Sequence, residues 1–185
     1  MDPARRPDQR TAAMSKIIGS EAEVAIQDFR RRYVPLVSTL VAIFLSATLP
    51  FVALSPWVPN LGFLVLLTWR LMRPEVWPIW AAAGFGLVAD LFSGAPLGQS
   101  TLLWTAIFLG LDSLDAWLGV RDYWLDWAAA AAAIAFHSIG VWYIALLMHA
   151  DVAIWVMAPQ YVMSVLAYPV MARIILSLDR WRLAR

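Results

Sequence analysis

The sequence predicts an all-α polytopic membrane protein with six transmembrane helices. Three observations carry that reading. Of 185 residues, 62% are hydrophobic and only 15% are charged. A soluble domain is about 45–50% apolar and about 25% charged, and a chain this short leaves too much surface in water to hide such an excess. The apolar residues gather into six stretches. Runs such as Ala128–Ala133 do not alternate as barrel strands must. Finally, all fourteen Lys and Arg fall on one side of the topology these stretches define. The same composition excludes a disordered chain, a disulfide scaffold and a soluble nucleic-acid binder. The absence of Cys removes thiolate metal sites and cysteine nucleophiles.

Residues 1–33 form a polar, basic segment with Arg5, Arg6, Arg10, Lys16 and the cluster Arg30, Arg31, Arg32. Ser20 with Glu23 makes a capping box that opens a short juxtamembrane helix from Glu21 to Tyr33. That helix reads as solvated, with its Arg cluster available to anionic membrane lipid at about 1 kcal/mol per basic residue. The transmembrane domain covers residues 34–178. Its first span, Val34–Leu54, is long enough to cross about 30 Å of hydrocarbon at about 1.5 Å per residue, and too long for the apolar region of a signal peptide. The other spans are Val58–Met72, Val76–Phe92, Leu97–Leu111, Trp124–Met148 and Val152–Leu178. Spans two to four are short, which calls for flanking interface residues or a locally thinned bilayer. Trp57, Trp69, Trp77, Trp117, Trp124, Trp155 and Trp181 stand at predicted ends, where an aromatic belt belongs. Residues 179–185 form a basic tail. With the N-terminus inside, the cytoplasmic segments hold seven, two, one and three Lys or Arg in chain order, and Arg173 lies toward the inner end of the last span. The outer loops, near 55–57, 93–96 and 149–151, hold none. Both termini are therefore expected in the cytoplasm.

Few polar residues interrupt the spans. Asp90 lies near the outer end of the third, where a carboxylate costs about 2.5–3.5 kcal/mol on insertion scales and should face the bundle interior. Two readings compete for it. It either caps the outer turn Ser93–Pro96 and holds helices together, or belongs to a proton relay or ion site. The first is favoured because no second intramembrane acid accompanies it. His137 is the best candidate partner by depth, and Asn60 and Gln160 share the same outer half. Ala82 and Gly86, and likewise Ala129 and Ala133, are four apart and mark close helix packing. Asp112, Asp115 and Asp122 make the loop after the fourth span acidic. A solvated face explains them better than a metal site. No catalytic constellation emerges, so no catalytic, cofactor-binding or metal-binding residue is assigned.

One stretch carries a longer pattern. Pro59–Asn60 is followed by Leu64, Leu66, Leu67 and Trp69, and Pro74 closes that helix. Then come Gly84–Phe85–Gly86–Leu87, Asp90–Leu91, Ser93–Gly94 and Leu97–Gly98. Tyr168–Pro169 precedes the basic tail. Physically, Pro59 suits the first turn of a helix, Gly94 and Gly98 permit a tight turn, and Asp90 can accept from that turn's unpaired N–H groups. The pattern resembles the MreD family of the bacterial rod-shape system, with which the size and six spans agree. The resemblance implies a fold similar to the substrate-binding subunit of energy-coupling vitamin transporters. It further implies a non-enzymatic scaffold without cofactor in the bacterial inner membrane. Its partners would be MreC, MreB filaments, the synthase RodA and RodA's transpeptidase partner, together with membrane lipid and no nucleic acid. The Ala82–Gly86 face is a candidate seat for MreC's span, and cytoplasmic contacts would use the basic terminal segments or the acidic loop 112–122. The fold analogy also invites a solute-binding transporter subunit, against which the very short outer loops leave no lid. A small membrane enzyme acting on lipid or carrier-linked sugar would need paired acids or a clear nucleophile, and neither is present.

Overall fold

A computed structural model describes residues 29–48, 57–118, 122–150 and 152–183. Those residues form six α-helices and no strand. Helix α1 covers residues 29–48. It is followed by α2 (Leu61–Met72), α3 (Ile79–Ser93), α4 (Gln99–Leu118), α5 (Tyr123–Leu147) and α6 (Ala158–Leu183). Short 3-10 turns at Pro74–Val76 and Ile154–Met157 precede α3 and α6. Most of the juxtamembrane helix expected from Glu21 lies outside the described residues. Residues 29–33 run straight into the first expected span as one helix. The end of that span, residues 49–54, also lies outside the described residues.

Helix α2 is the axis of the bundle. Asn60 is its N-cap, with Oδ1 accepting from the Phe63 N–H at 3.0 Å. A cap of this kind satisfies one of the four donors a helix start leaves orphaned. Pro59 therefore stands before the cap and not in the first turn, and the helix opens at Leu61 instead of Val58. At 12 residues it measures about 18 Å, well short of the hydrocarbon thickness. Every residue from Gly62 to Leu71 is nevertheless buried. Its neighbours wrap it on all sides.

Glycine fixes two helix crossings. A Cβ on Gly62 would sit 3.0 Å from the Ile43 Cα, so α1 meets α2 backbone to backbone. A Cβ on Gly86 would sit 2.6 Å from both the Thr101 Cα and N, which joins α3 to α4. Those two helices form the most extensive pair, and α6 and α5 close around α2. Ala82 is fully buried on the same face. The Ala82–Gly86 face, expected as a candidate seat for a partner's span, is thus taken by α4.

Two further boundaries differ from expectation. Helix α3 starts at Ile79 because Pro74–Val76 makes a separate turn and Pro78 is the N-cap. Helix α4 continues past Leu111 to Leu118, for a reason given by Arg70 below. Tyr123–Leu147 and Ile154–Leu183 are long and apolar enough to cross a membrane. The outward surface is apolar as well, with Leu91 and Leu102 each 64% exposed. Large apolar patches of this kind suit hydrocarbon surroundings better than water. Trp57, Trp117, Trp124, Trp155 and Trp181 are exposed, as belt residues should be. Trp69 departs from that expectation. It is fully buried among Ala42, Val65 and Ile175, and its Nε1–H donates to Ser38 Oγ at 3.0 Å.

Candidate functional site

Three polar arrangements hold the helices at defined places. The first is at the α3–α4 turn. Helix α3 ends at Gly94, which takes the left-handed conformation at φ +68°, and Gly98 has φ +97°. Between them the chain reverses, with Leu97 72% exposed at the tip. Asp90, 1% exposed, points into this reversal. Its Oδ1 accepts from the Ser100 N–H at 2.8 Å. Its Oδ2 accepts from the Gly98 N–H at 2.9 Å, the Thr101 N–H at 3.3 Å and the Thr101 hydroxyl at 3.2 Å. The carboxylate therefore supplies the cap that α4's own sequence lacks, and its charge meets the positive end of the helix dipole. Gly86, one turn below, lets the two backbones come close enough for this.

Asp90 and His137 do not pair. The carboxylate takes its hydrogen bonds from α4, while the His137 ring stacks on Phe63 with centroids 4.4 Å apart and planes 15° apart. His137 instead joins Asn60, Ser100, Ser138, Gln160 and Ser164 around a polar cavity of about 190 Å³. A smaller hollow of about 130 Å³ adjoins it and shares Asn60, Ser93, Ser100 and Gln160. Gln160 reaches across to donate from Nε2 to the Val58 carbonyl at 3.2 Å. Of the residues singled out in the outer half, Asn60, His137 and Gln160 thus meet in one place, beside Asp90's hydrogen bonds.

The opposite end is charged. Arg70, 2% exposed in α2, forks to Asp112 and to Asp115, the second at 3.0 Å, and lies over the Phe108 ring. Asp112 and Asp115 therefore belong to α4 and not to a loop, with side chains 42% and 27% exposed. Their neutralisation by Arg70 is what lets the helix run on to Leu118. Asp122 is exposed at the start of α5. A second network ties Arg73 Nη2 to Asp179 Oδ2 at 2.7 Å, and Arg182 Nε to Asp179 Oδ1 at 2.6 Å. Arg182 also donates to the Arg31 carbonyl at 2.9 Å and covers the Trp69 ring. The hydrogen bond to Asp179 raises the Arg73 pKa further above its ordinary value, against a smaller opposing effect of partial burial. Residues 179–183, expected as part of a basic tail, continue α6, and Asp179 and Arg182 turn inward. Pro74 sits exposed in the turn that follows Arg73.

The third arrangement surrounds Pro169, inside α6. A proline there cannot donate to the carbonyl four residues earlier, which is Val165. The Trp127 Nε1–H on α5 donates to that carbonyl at 3.3 Å. Sequence reasoning missed this bond and both charged networks. A signal for one existed: a lone Arg in the apolar run of α2, and two Asp at i, i+3 spacing, which share a helix face.

The arrangement offers clamps and a neutral hydrogen-bonding cavity. Among the described residues no group of three or more His, Asp or Glu converges as a metal site would. No curated protein and no solved structure matches the chain. A family model does, across residues 27–180, which include α1 to α5, most of α6 and every clamp except Arg182. The chain belongs to the MreD family, that of the rod shape-determining protein MreD.

Proposed function

We propose that the chain is a non-enzymatic membrane scaffold of the machinery that elongates the bacterial cell wall. It would sit in the inner membrane as six spans with both termini in the cytoplasm. Membership in the MreD family implies a role in rod-shape determination, and the family match over residues 27–180 is the observation that carries the reading. The disposition of charged residues supports it. Asp90, Arg70, Arg73, Asp179 and Arg182 are all spent on holding helices to one another, which leaves them engaged in architecture instead of chemistry. The basic residues Arg31, Arg73 and Arg182 meet at one end, which the positive-inside rule assigns to the cytoplasm.

The partners that fit this role are MreC, MreB filaments, RodA and its transpeptidase. MreC's span would meet an outward helix face, since α4 covers the Ala82–Gly86 face. The test is purification of the tagged full chain from native membranes. MreC should co-purify, and depletion should turn rods into spheres. Recovery of an energising transport module without MreC, with rod shape intact, would defeat the scaffold reading.

A further inference from the structure

The polar cavity beside Asp90 has a neighbour of opposite character. A hollow of about 470 Å³ lies on the outward side between α5 and the turn Ile154–Met157. Its walls are apolar, from Ala135, Ile139, Ile154, Trp155 and Tyr161. Ser138 and Met157 line both this hollow and the polar cavity. Trp155, 80% exposed, and Ile139, 54% exposed, face outward at its rim. The two hollows thus adjoin at Ser138 and Met157, one polar and one apolar.

The polar part is lined by uncharged hydrogen-bonding side chains. No Lys, Arg, Asp or Glu lines it. Asn60 spends its oxygen on Phe63, and Gln160 spends its nitrogen on Val58. Asn60, Gln160, Ser100, Ser138 and His137 bring amide, hydroxyl and imidazole groups to its wall. That set mixes donors and acceptors, which is what a hydroxyl-bearing guest matches, since each hydroxyl both donates and accepts. A phosphate head would be stripped of water there with no cation to meet it. The basic residues Arg70, Arg73 and Arg182 serve the other end of the bundle.

We propose that this composite hollow binds a membrane lipid with a neutral, hydroxyl-rich head. The head occupies the polar cavity among Asn60, Ser100, His137 and Gln160, and an acyl chain lies in the apolar groove past Ser138 and Met157. The lipid is the source favoured over a free sugar or polyol because the apolar groove adjoins the head site and shares Ser138 and Met157 with it. The inference is independent of which proteins the chain binds.

Delipidated full-length protein in detergent would be titrated with monoglucosyldiacylglycerol, with phosphatidylglycerol and with free glucose, and retention read by native mass spectrometry. The glycolipid should bind at least about tenfold more tightly than phosphatidylglycerol, and glucose should not be retained. Ser138→Leu, which places a branched side chain at the junction, should weaken glycolipid retention about tenfold. A second readout leaves the cavity intact. Glycolipid brominated on its acyl chain should quench a fluorescence component that Trp155→Phe removes. Equal retention of both lipids would reduce the site to general lipid contact. Retention of glucose as tight as glycolipid would make it a solute site. Either result, or retention of neither lipid, overturns the proposal.

Discussion

Asp90 shows how one side chain does the work of a whole cap. Helix α4 begins after Gly98 with no Ser, Thr, Asp or Asn of its own placed to bond its first donors, and Asp90 from α3 serves Gly98, Ser100 and Thr101 together. Hydrogen bonds to a charged group contribute about 1.5–3 kcal/mol each. Asp90→Asn keeps the shape but turns one acceptor into a donor that faces N–H groups. It should destabilise the protein by about 2–3 kcal/mol in thermal or SDS unfolding. This role was legible, because a turn with two glycines leaves N–H groups unpaired and Asp90 is the only acid within reach in the sequence. The partner of Pro169 was not legible. Trp127 lies 38 residues from the carbonyl it serves, and nothing local in either segment points to the other. A double-mutant cycle reads the pair directly. Trp127→Phe should cost about 1 kcal/mol by orphaning the Val165 carbonyl. In a Pro169→Ala background, the restored backbone N–H takes that carbonyl, and most of the Trp127→Phe cost should vanish.

At the scale of elements, the charged clamp decides where helices stop. Asp112 and Asp115 look like the start of a polar loop when α4 is read alone, since two acids end an apolar run. Paired with the buried Arg70 they become about two more turns of helix. Helix boundaries misread in this way share a cause: the compensating residue sits in another helix. The same holds for α2, whose length is too small for a span until its neighbours are in place. Helix existence was easier to read, because long apolar runs bounded by Pro, Gly and charge leave few alternatives. The clamp also yields a signed expectation. Arg70→Met removes the buried cation and leaves two partly exposed carboxylates, Asp112 at 42% and Asp115 at 27% side-chain exposure, and should destabilise by about 1–3 kcal/mol. Adding Asp112→Asn and Asp115→Asn removes the stranded charges and should recover a large part of that loss. A triple variant no more stable than Arg70→Met alone would mean that the Asp pair is solvated and that the clamp contributes little.

For the molecule as a whole, the distribution of charge is the feature with the widest reach. Arg30 lies 4.9 Å from the Trp181 ring centroid, Arg182 bonds the Arg31 carbonyl, and Arg73 bonds Asp179. Residues distant in sequence therefore share one end. The other end carries the Gly94–Gly98 turn and the neutral cavity, without Lys or Arg among the residues that line it. A membrane that retains positive charge on its inner side fixes the orientation of such a body. The chain lends itself to measuring this, since it contains no Cys and any introduced thiol is the sole target. Leu97→Cys sits at the exposed tip of the α3–α4 turn, and Glu75→Cys sits in the exposed turn after α2. In intact spheroplasts a membrane-impermeant maleimide should label the thiol at position 97 and leave that at 75 untouched until the membrane is permeabilised. The reverse pattern would place the Arg70 and Asp179 clamps outside the cell. It would invert the proposed topology, and with it the side on which MreB filaments can be met.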